Sequence, residues 1–182
     1  MADPLPTFRY HPDPLASGSV IPSDAACACC EEARGYLYAG PVYAEEELAS
    51  QLCPWCLADG AAAEAYDATF VDSEALDDTV PEDVVDEIVE RTPGYHAWQG
   101  ERWPSCCNDA TAFLGAFGIT ELRAYDRSLE GAVMSYIVHD CGVSGGAALR
   151  LLESFTREEH GPTLYLFRCL HCEMPRFHHD RT

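Results

Sequence analysis

Six of the ten cysteines in this 182-residue chain come as Cys-x-x-Cys pairs: Cys27/Cys30, Cys53/Cys56 and Cys169/Cys172. Such a turn can cycle between dithiol and disulfide, or it can hand two thiolates to a metal ion. The first two pairs make a C-x2-C-x22-C-x2-C arrangement. Zinc takes four soft ligands at the corners of a tetrahedron, and two such turns supply them. A redox pair of the thioredoxin kind sits beside a βαβ pattern, and no βαβ unit precedes Leu52-Cys53-Pro54-Trp55-Cys56. The spacing therefore predicts a structural zinc on Cys27, Cys30, Cys53 and Cys56. Cys29 is the odd member: the two-residue spacer favours Cys27 with Cys30, although Cys29 could substitute.

The second set is looser. Cys169-Leu170-His171-Cys172 is a good knuckle, but its partners must come from far along the chain. They are Cys106 and Cys107, or His139 and Cys141. A second zinc on Cys106, Cys107, Cys169 and Cys172 is one reading; a reactive thiol pair and unliganded cysteines are the others. One zinc is expected, and two if this set is also filled.

Catalysis finds little support. An all-cysteine zinc site is closed and offers no Lewis acid, whereas catalytic zinc keeps an open position. Gly142-Val143-Ser144-Gly145-Gly146 resembles a nucleophile elbow but lacks the strand-turn-helix context, and it reads as helix-capping glycines. His178-His179-Asp180 reads as an exposed tail. Cys106 or Cys107 at a helix start near Asp109 is the one candidate nucleophile, with Trp98 and Trp103 nearby as core or partner surface. The favoured reading is non-enzymatic. Its alternative is a thiol- or metal-dependent enzyme or redox sensor using the Cys106/Cys107 and Cys169/Cys172 region.

The elements that must position these thiols can be read in outline. Residues 1–26 are rich in Pro, Ser and Gly and form an extended lead-in, with Phe8-Arg9-Tyr10 strand-like. Residues 27–72 form a cysteine unit. Within it, Tyr36-Leu37-Tyr38 and Val42-Tyr43 flank Gly40-Pro41 as a hairpin. Helices are expected over 45–52 and 57–66, the latter despite Gly60. Residues 72–82 are an acidic loop. "PEDVVDEIVERT" is a helix with Pro81 at its start and acidic residues in its first turn, where the dipole favours them. A second helix is predicted from Ser105 to Phe117 with Gly118 as its stop, and a third from Gly145 to Thr156. Thr163–Phe167 and Arg176–His178 are strands around the last cysteine pair. The fold class predicted is α+β: a small zinc-stabilised domain with a treble-clef-like cysteine unit, central helices over 73–182 and a closing zinc-knuckle β-hairpin.

Charge narrows the partners. Thirty-one acidic residues face eleven basic ones, a formal net charge of −20, and every basic residue is arginine. Nucleic acid and anionic membranes are repelled, and basic proteins are drawn in. Glu45-Glu46-Glu47 and residues 72–86 are the candidate contact stretches. The sequence has no basic, apolar leader and no long apolar run, so a cytoplasmic location is expected. In that reducing setting ten cysteines suit metal better than disulfides.

Several stretches together resemble the CbrC family of bacterial proteins. They are "LPTFRYHPDPLASGSV", "RGYLYAGPVYAEEEL", "LCPWCLADGAAAEAYDATFVD", "RTPGYHAWQGERW", "CCNDATAFLGAFG" and "LYLFRCLHC", in order over nearly the whole chain. The resemblance implies a small cytosolic protein with Cys-x-x-Cys pairs, tied to tolerance of a nuclease colicin and of immunity type. It implies no enzymatic activity. The three pairs fit its pattern, as does Cys107 before Asn108-Asp109. Cys106 stands where relatives more often carry His, an exchange that a zinc-ligand position tolerates. Glu173 replaces an expected Gly.

Overall fold

A computed structural model describes residues 4–158 and 161–180 of the chain. It is a mixed α/β structure with two sheets. The smaller pairs β1 (Val20–Pro22) with β2 (Tyr36–Tyr38), antiparallel, Ile21 opposite Leu37. The larger has the order β3 (Ser105–Cys106), β4 (Asp109–Phe117), β5 (Thr163–Cys169), β6 (Pro175–Asp180), with every neighbour antiparallel.

The cysteine unit is made of very short pieces. After β2 come α1 (Pro54–Ala58) and α2 (Ala61–Tyr66), which break where Gly60 takes a φ of +84°. Strands of three residues and helices of five or six are too short to stand alone. They are held by a shared core of Phe8, Leu37, Tyr38, Leu52, Leu57 and Phe70, which also encloses Cys27, Cys53 and Cys56. Two expectations fail here. Residues 45–52 form turns rather than a helix, and Tyr36–Tyr38 pairs with β1 instead of folding back on Val42-Tyr43. Tyr43 bridges Thr69. The Pro-rich lead-in thus supplies the partner strand, because Val20-Ile21 are β-branched and lie just beyond the Gly18 turn.

α3 (Glu82–Arg91) forms as its pattern predicts, with Val84, Ile88 and Val89 buried. The large sheet is covered on both sides. One face carries an aromatic cluster in which Tyr95 stacks on Phe113 with centroids 4.3 Å apart, while Trp103, Tyr165 and Phe167 surround the pair. Fully burying one such ring contributes roughly 1.5–3 kcal/mol, so this cluster is a main store of stability. Tyr10 joins it from the lead-in, its carbonyl accepting the Phe113 N–H. The other face is covered by α4 (Ile119–Asp126), α5 (Glu130–His139) and α6 (Gly145–Ser154) through Leu122, Ile137 and Leu152, packed against Leu164. Arg123 of α4 clamps the layer by bonding Glu130 and Glu153.

The helix expected from Ser105 to Phe117 is a β-hairpin. Cys106 pairs with Asp109, leaving Cys107 and Asn108 as a two-residue turn with φ of +57° and +59°. That is the geometry that matches the twist of antiparallel strands. A register shift between Phe113 and Gly115 places a bulge at Leu114.

Candidate metal centres

The first centre gathers Cys27, Cys30, Cys53 and Cys56, whose sulfurs all lie within 4.8 Å of one another. Cys27 Sγ is 3.9 Å from Cys56 Sγ, and Cys30 Sγ is 3.8 Å from Cys53 Sγ. With metal–sulfur bonds of about 2.3 Å, the edge of a tetrahedron is about 3.8 Å, whereas a disulfide is about 2.04 Å. The spacing is therefore that of a tetrathiolate. Cys53 is the N-cap of α1, with Pro54 as the first helical residue. Its N–H donates to Cys27 Sγ at 3.1 Å, as the Cys29 N–H does at 3.4 Å.

The second centre gathers Cys106, Cys107, Cys169 and Cys172 under the same limit. Cys106 Sγ is 3.7 Å from Cys172 Sγ and 3.8 Å from Cys107 Sγ. The β3–β4 turn brings one pair and the β5–β6 turn the other, side by side because β4 and β5 are neighbours. Cys106 and Cys107 are therefore at a hairpin tip, not at a helix start, and the helix dipole offered for an activated nucleophile is absent there. The N–H groups of His171 and Cys172 donate to Cys169 Sγ at 3.4 and 3.5 Å. Both knuckles thus cradle their first sulfur in the same way.

Electrostatics of the bare sulfurs argue for a cation. Burial opposes a thiolate at Cys27, yet the N–H donors of Cys30, Cys53 and Cys29 outweigh it and lower its pKa. Cys169 is pulled down to about 6, its N–H donors from Cys172 and His171 overcoming burial. Their neighbours go the other way. Burial and the neighbouring sulfurs push Cys53 up to about 11 and Cys106 up to about 12. Four thiolates packed this closely need a positive centre to ionise together.

Around the second centre lies a polar shell. Asp109, only 4% exposed, accepts from Tyr10 Oη (2.8 Å) and its neighbour's Ala110 N–H (2.8 Å) on Oδ1. Its Oδ2 meets Arg9 Nη2 (2.7 Å) and His171 Nε2 (2.8 Å). Burial works against its charge, but these donors together lower its pKa. Arg176 Nη2 donates to Cys106 Sγ at 2.9 Å. Sequence reasoning missed Arg9, Tyr10 and Arg176, and placed Asp109 and His171 near the thiols without giving them roles.

The other candidates fall elsewhere. His139 and Cys141 do not join the second cluster; Cys141 Sγ is 3.8 Å from His179 Nδ1, which also bonds Tyr136 Oη. Cys29 stays outside the first four. His178, His179 and Asp180 are not a tail but belong to β6: His178 stacks on Tyr165, and Asp180 is buried, accepting from Trp98 N, Gln99 N and Tyr165 Oη. The N-cap of α6 is Ser144 rather than one of the glycines read as capping residues, and it makes no side-chain cap bond. Among the described residues no helix is long and apolar enough to cross a membrane.

Fold and site together define a mixed α/β protein with two four-cysteine clusters, each of which could hold a metal ion. The family model described as "Uncharacterised protein family (UPF0167)" matches residues 5–181. The chain belongs to that family. UPF0167 protein Mb2317 of Mycobacterium bovis and UPF0167 protein MT2352 of Mycobacterium tuberculosis are each 46% identical to it, over 92% of this chain and 89% of theirs. UPF0167 protein PA1536 of Pseudomonas aeruginosa is 45% identical over the whole of both chains. No solved structure matches. These matches do not point to the CbrC family, so the family label read from the sequence stretches is corrected to UPF0167. The colicin tolerance implied by that label loses its basis with it.

Proposed function

We propose that this is a non-enzymatic protein whose scaffold is pinned by two structural zinc ions and whose acidic surface binds a basic protein. The observation that carries the zinc reading is the matched sulfur spacing in the two clusters, 3.7–3.9 Å along the contacts that approach most closely. Four thiolates suit zinc, and they leave no open position for catalysis. In the first cluster a knuckle and a pair entering a helix match two parts of a treble-clef layout, while the hairpin expected between them is replaced by the pairing of β1 with β2. That unit is built of strands of three residues and helices of five or six, so a metal there supplies folding energy outright.

The partner reading rests on charge. With a formal net charge of −20, long-range attraction speeds association with a basic surface and disfavours acidic ones. Glu45, Glu46 and Glu47 are exposed, as are Asp77, Asp78, Glu82, Asp83 and Asp86. These side chains would occupy the partner's cationic face.

Zinc analysis with thiol titration tests the first half. Two zincs per chain, with the four thiols of the first cluster closed to fast titration, support it; one zinc with many fast thiols sinks it. For the second half, binding to a panel of basic proteins is measured at low and high salt. Tight, salt-sensitive association with a subset is expected, and no association at low salt refutes it.

A further inference from the structure

The two clusters are not equivalent at their surfaces. In the first, Cys27, Cys53 and Cys56 are buried and Cys30 is half-buried. In the second, Cys169 is buried and Cys106 half-buried, but Cys107 and Cys172 are exposed. Hydrogen bonds divide the second cluster the same way. Cys169 accepts two backbone N–H groups, and Cys106 accepts Arg176. Among the described residues, no N–H donor is aimed at the sulfur of Cys107 or Cys172. A hydrogen bond to a metal-bound thiolate withdraws electron density from it. Nucleophilic density is therefore left on the two sulfurs that solvent can reach.

We propose that this exposed edge, the sulfurs of Cys107 and Cys172, is a modification site for uncharged soft carbon electrophiles. The proposal rests on the zinc reading of the second cluster. Zinc keeps both sulfurs as thiolates at neutral pH, the form that attacks. In the step, a sulfur lone pair forms a bond to the electrophilic carbon. The carbon–leaving-group bond breaks and the leaving group departs with its electron pair. The product is a neutral thioether, a much poorer ligand, so a dianionic tetrathiolate centre becomes monoanionic and its grip on zinc loosens. The strong negative charge of the protein selects against anionic reagents. Cys107 lies in the two-residue turn between β3 and β4, with a φ of +57°.

The test uses the zinc-loaded full chain carrying Cys29→Ser and Cys141→Ser, which removes the two thiols outside the clusters. Zinc is counted first, iodoacetamide is added, and the labelled positions are read by peptide mass spectrometry while released zinc is followed with a chromophoric chelator. Label on Cys107 or Cys172 is expected about tenfold or more faster than on any sulfur of the first cluster, with one zinc released per label. A start with fewer than two zincs overturns the zinc reading, and the proposal with it. Two zincs with no label, or with label spread evenly over both clusters, overturns the proposal alone. The same experiment with iodoacetate, which is anionic, is expected to run slower; equal rates overturn the selection by charge.

Discussion

His171 Nε2 lies 2.8 Å from Asp109 Oδ2, and this contact ties the knuckle of Cys169 and Cys172 to the hairpin of Cys106 and Cys107. The same carboxylate holds Arg9 and Tyr10 of the lead-in. One buried group therefore joins three stretches that are distant in sequence. Asp109→Ala is expected to cost about 2–4 kcal/mol in urea unfolding of the zinc-loaded protein, since it strips the acceptor from several donors at once. Outer-shell changes of this kind weaken metal binding by about 10–100-fold. Competition with a chromophoric chelator should show that loss at the second centre and none at the first.

Chelation should release the two metals in order. Cys107 and Cys172 are exposed, while three of the four sulfurs in the first centre are buried. Stopped-flow mixing with excess chelator is expected to give two phases of equal amplitude. Cys172→Ser should abolish the fast phase and leave the slow one, with the small sheet still folded by circular dichroism. A single phase, or loss of both, contradicts the assignment.

His11 sets part of the acid limit. Burial lowers its pKa to about 4, outweighing a hydrogen bond from Nδ1 to the Pro93 carbonyl at 2.7 Å. The unfolded chain takes up a proton near the ordinary value of 6.5. The ring's contribution is thus intact above pH 6.5 and is lost as pH falls towards 4, by about 3 kcal/mol. His11→Gln should lower stability at pH 7 but flatten its dependence over that window. Taking the difference between the two urea series removes the part due to the cysteines, which both proteins share.

Glu101 acts on the other side. Burial raises its pKa to about 7, although the N–H groups of Tyr95 and Asp72 donate to it. Its unfolded value is near 4.5, so its contribution is full below pH 4.5 and is lost as pH rises through 7. Glu101→Gln cannot ionise and keeps one acceptor, for the Tyr95 N–H at 2.8 Å, while giving up the longer 3.4 Å bond from the Asp72 N–H. The urea midpoint of the variant, relative to wild type, should therefore improve between pH 6 and pH 8.

The metal centres were the most legible part of this chain. Cys-x-x-Cys spacing names ligands directly, because a knuckle is a local structure. Sixty-one residues and a helical layer separate Cys107 from Cys169, and no local spacing links the two pairs. The strand carrying them was misread because Ala110, Ala112, Leu114 and Ala116 favour helix, and the bulge at Leu114 breaks the two-residue period of its apolar side chains. Its turn holds Cys107-Asn108 rather than the usual Asn-Gly, so the strongest hairpin signal is missing from the sequence. Asp109 was placed beside the cysteines, but its partners and those of Arg176 gave no signal in sequence, because the tertiary fold and not spacing brings them together.

The two centres also differ in when a growing chain can finish them. The first needs only a 22-residue loop to close, and its last sulfur is Cys56. The second must close 61 residues and waits for Cys172, at an entropic cost about 1 kcal/mol higher. Synthesis runs from the N-terminus, so the first four thiols can capture an ion while the second set is still two sulfurs short. On the zinc reading, metal loading would follow the order of translation, and β5 and β6 would arrive last, onto a scaffold already fastened at its other end.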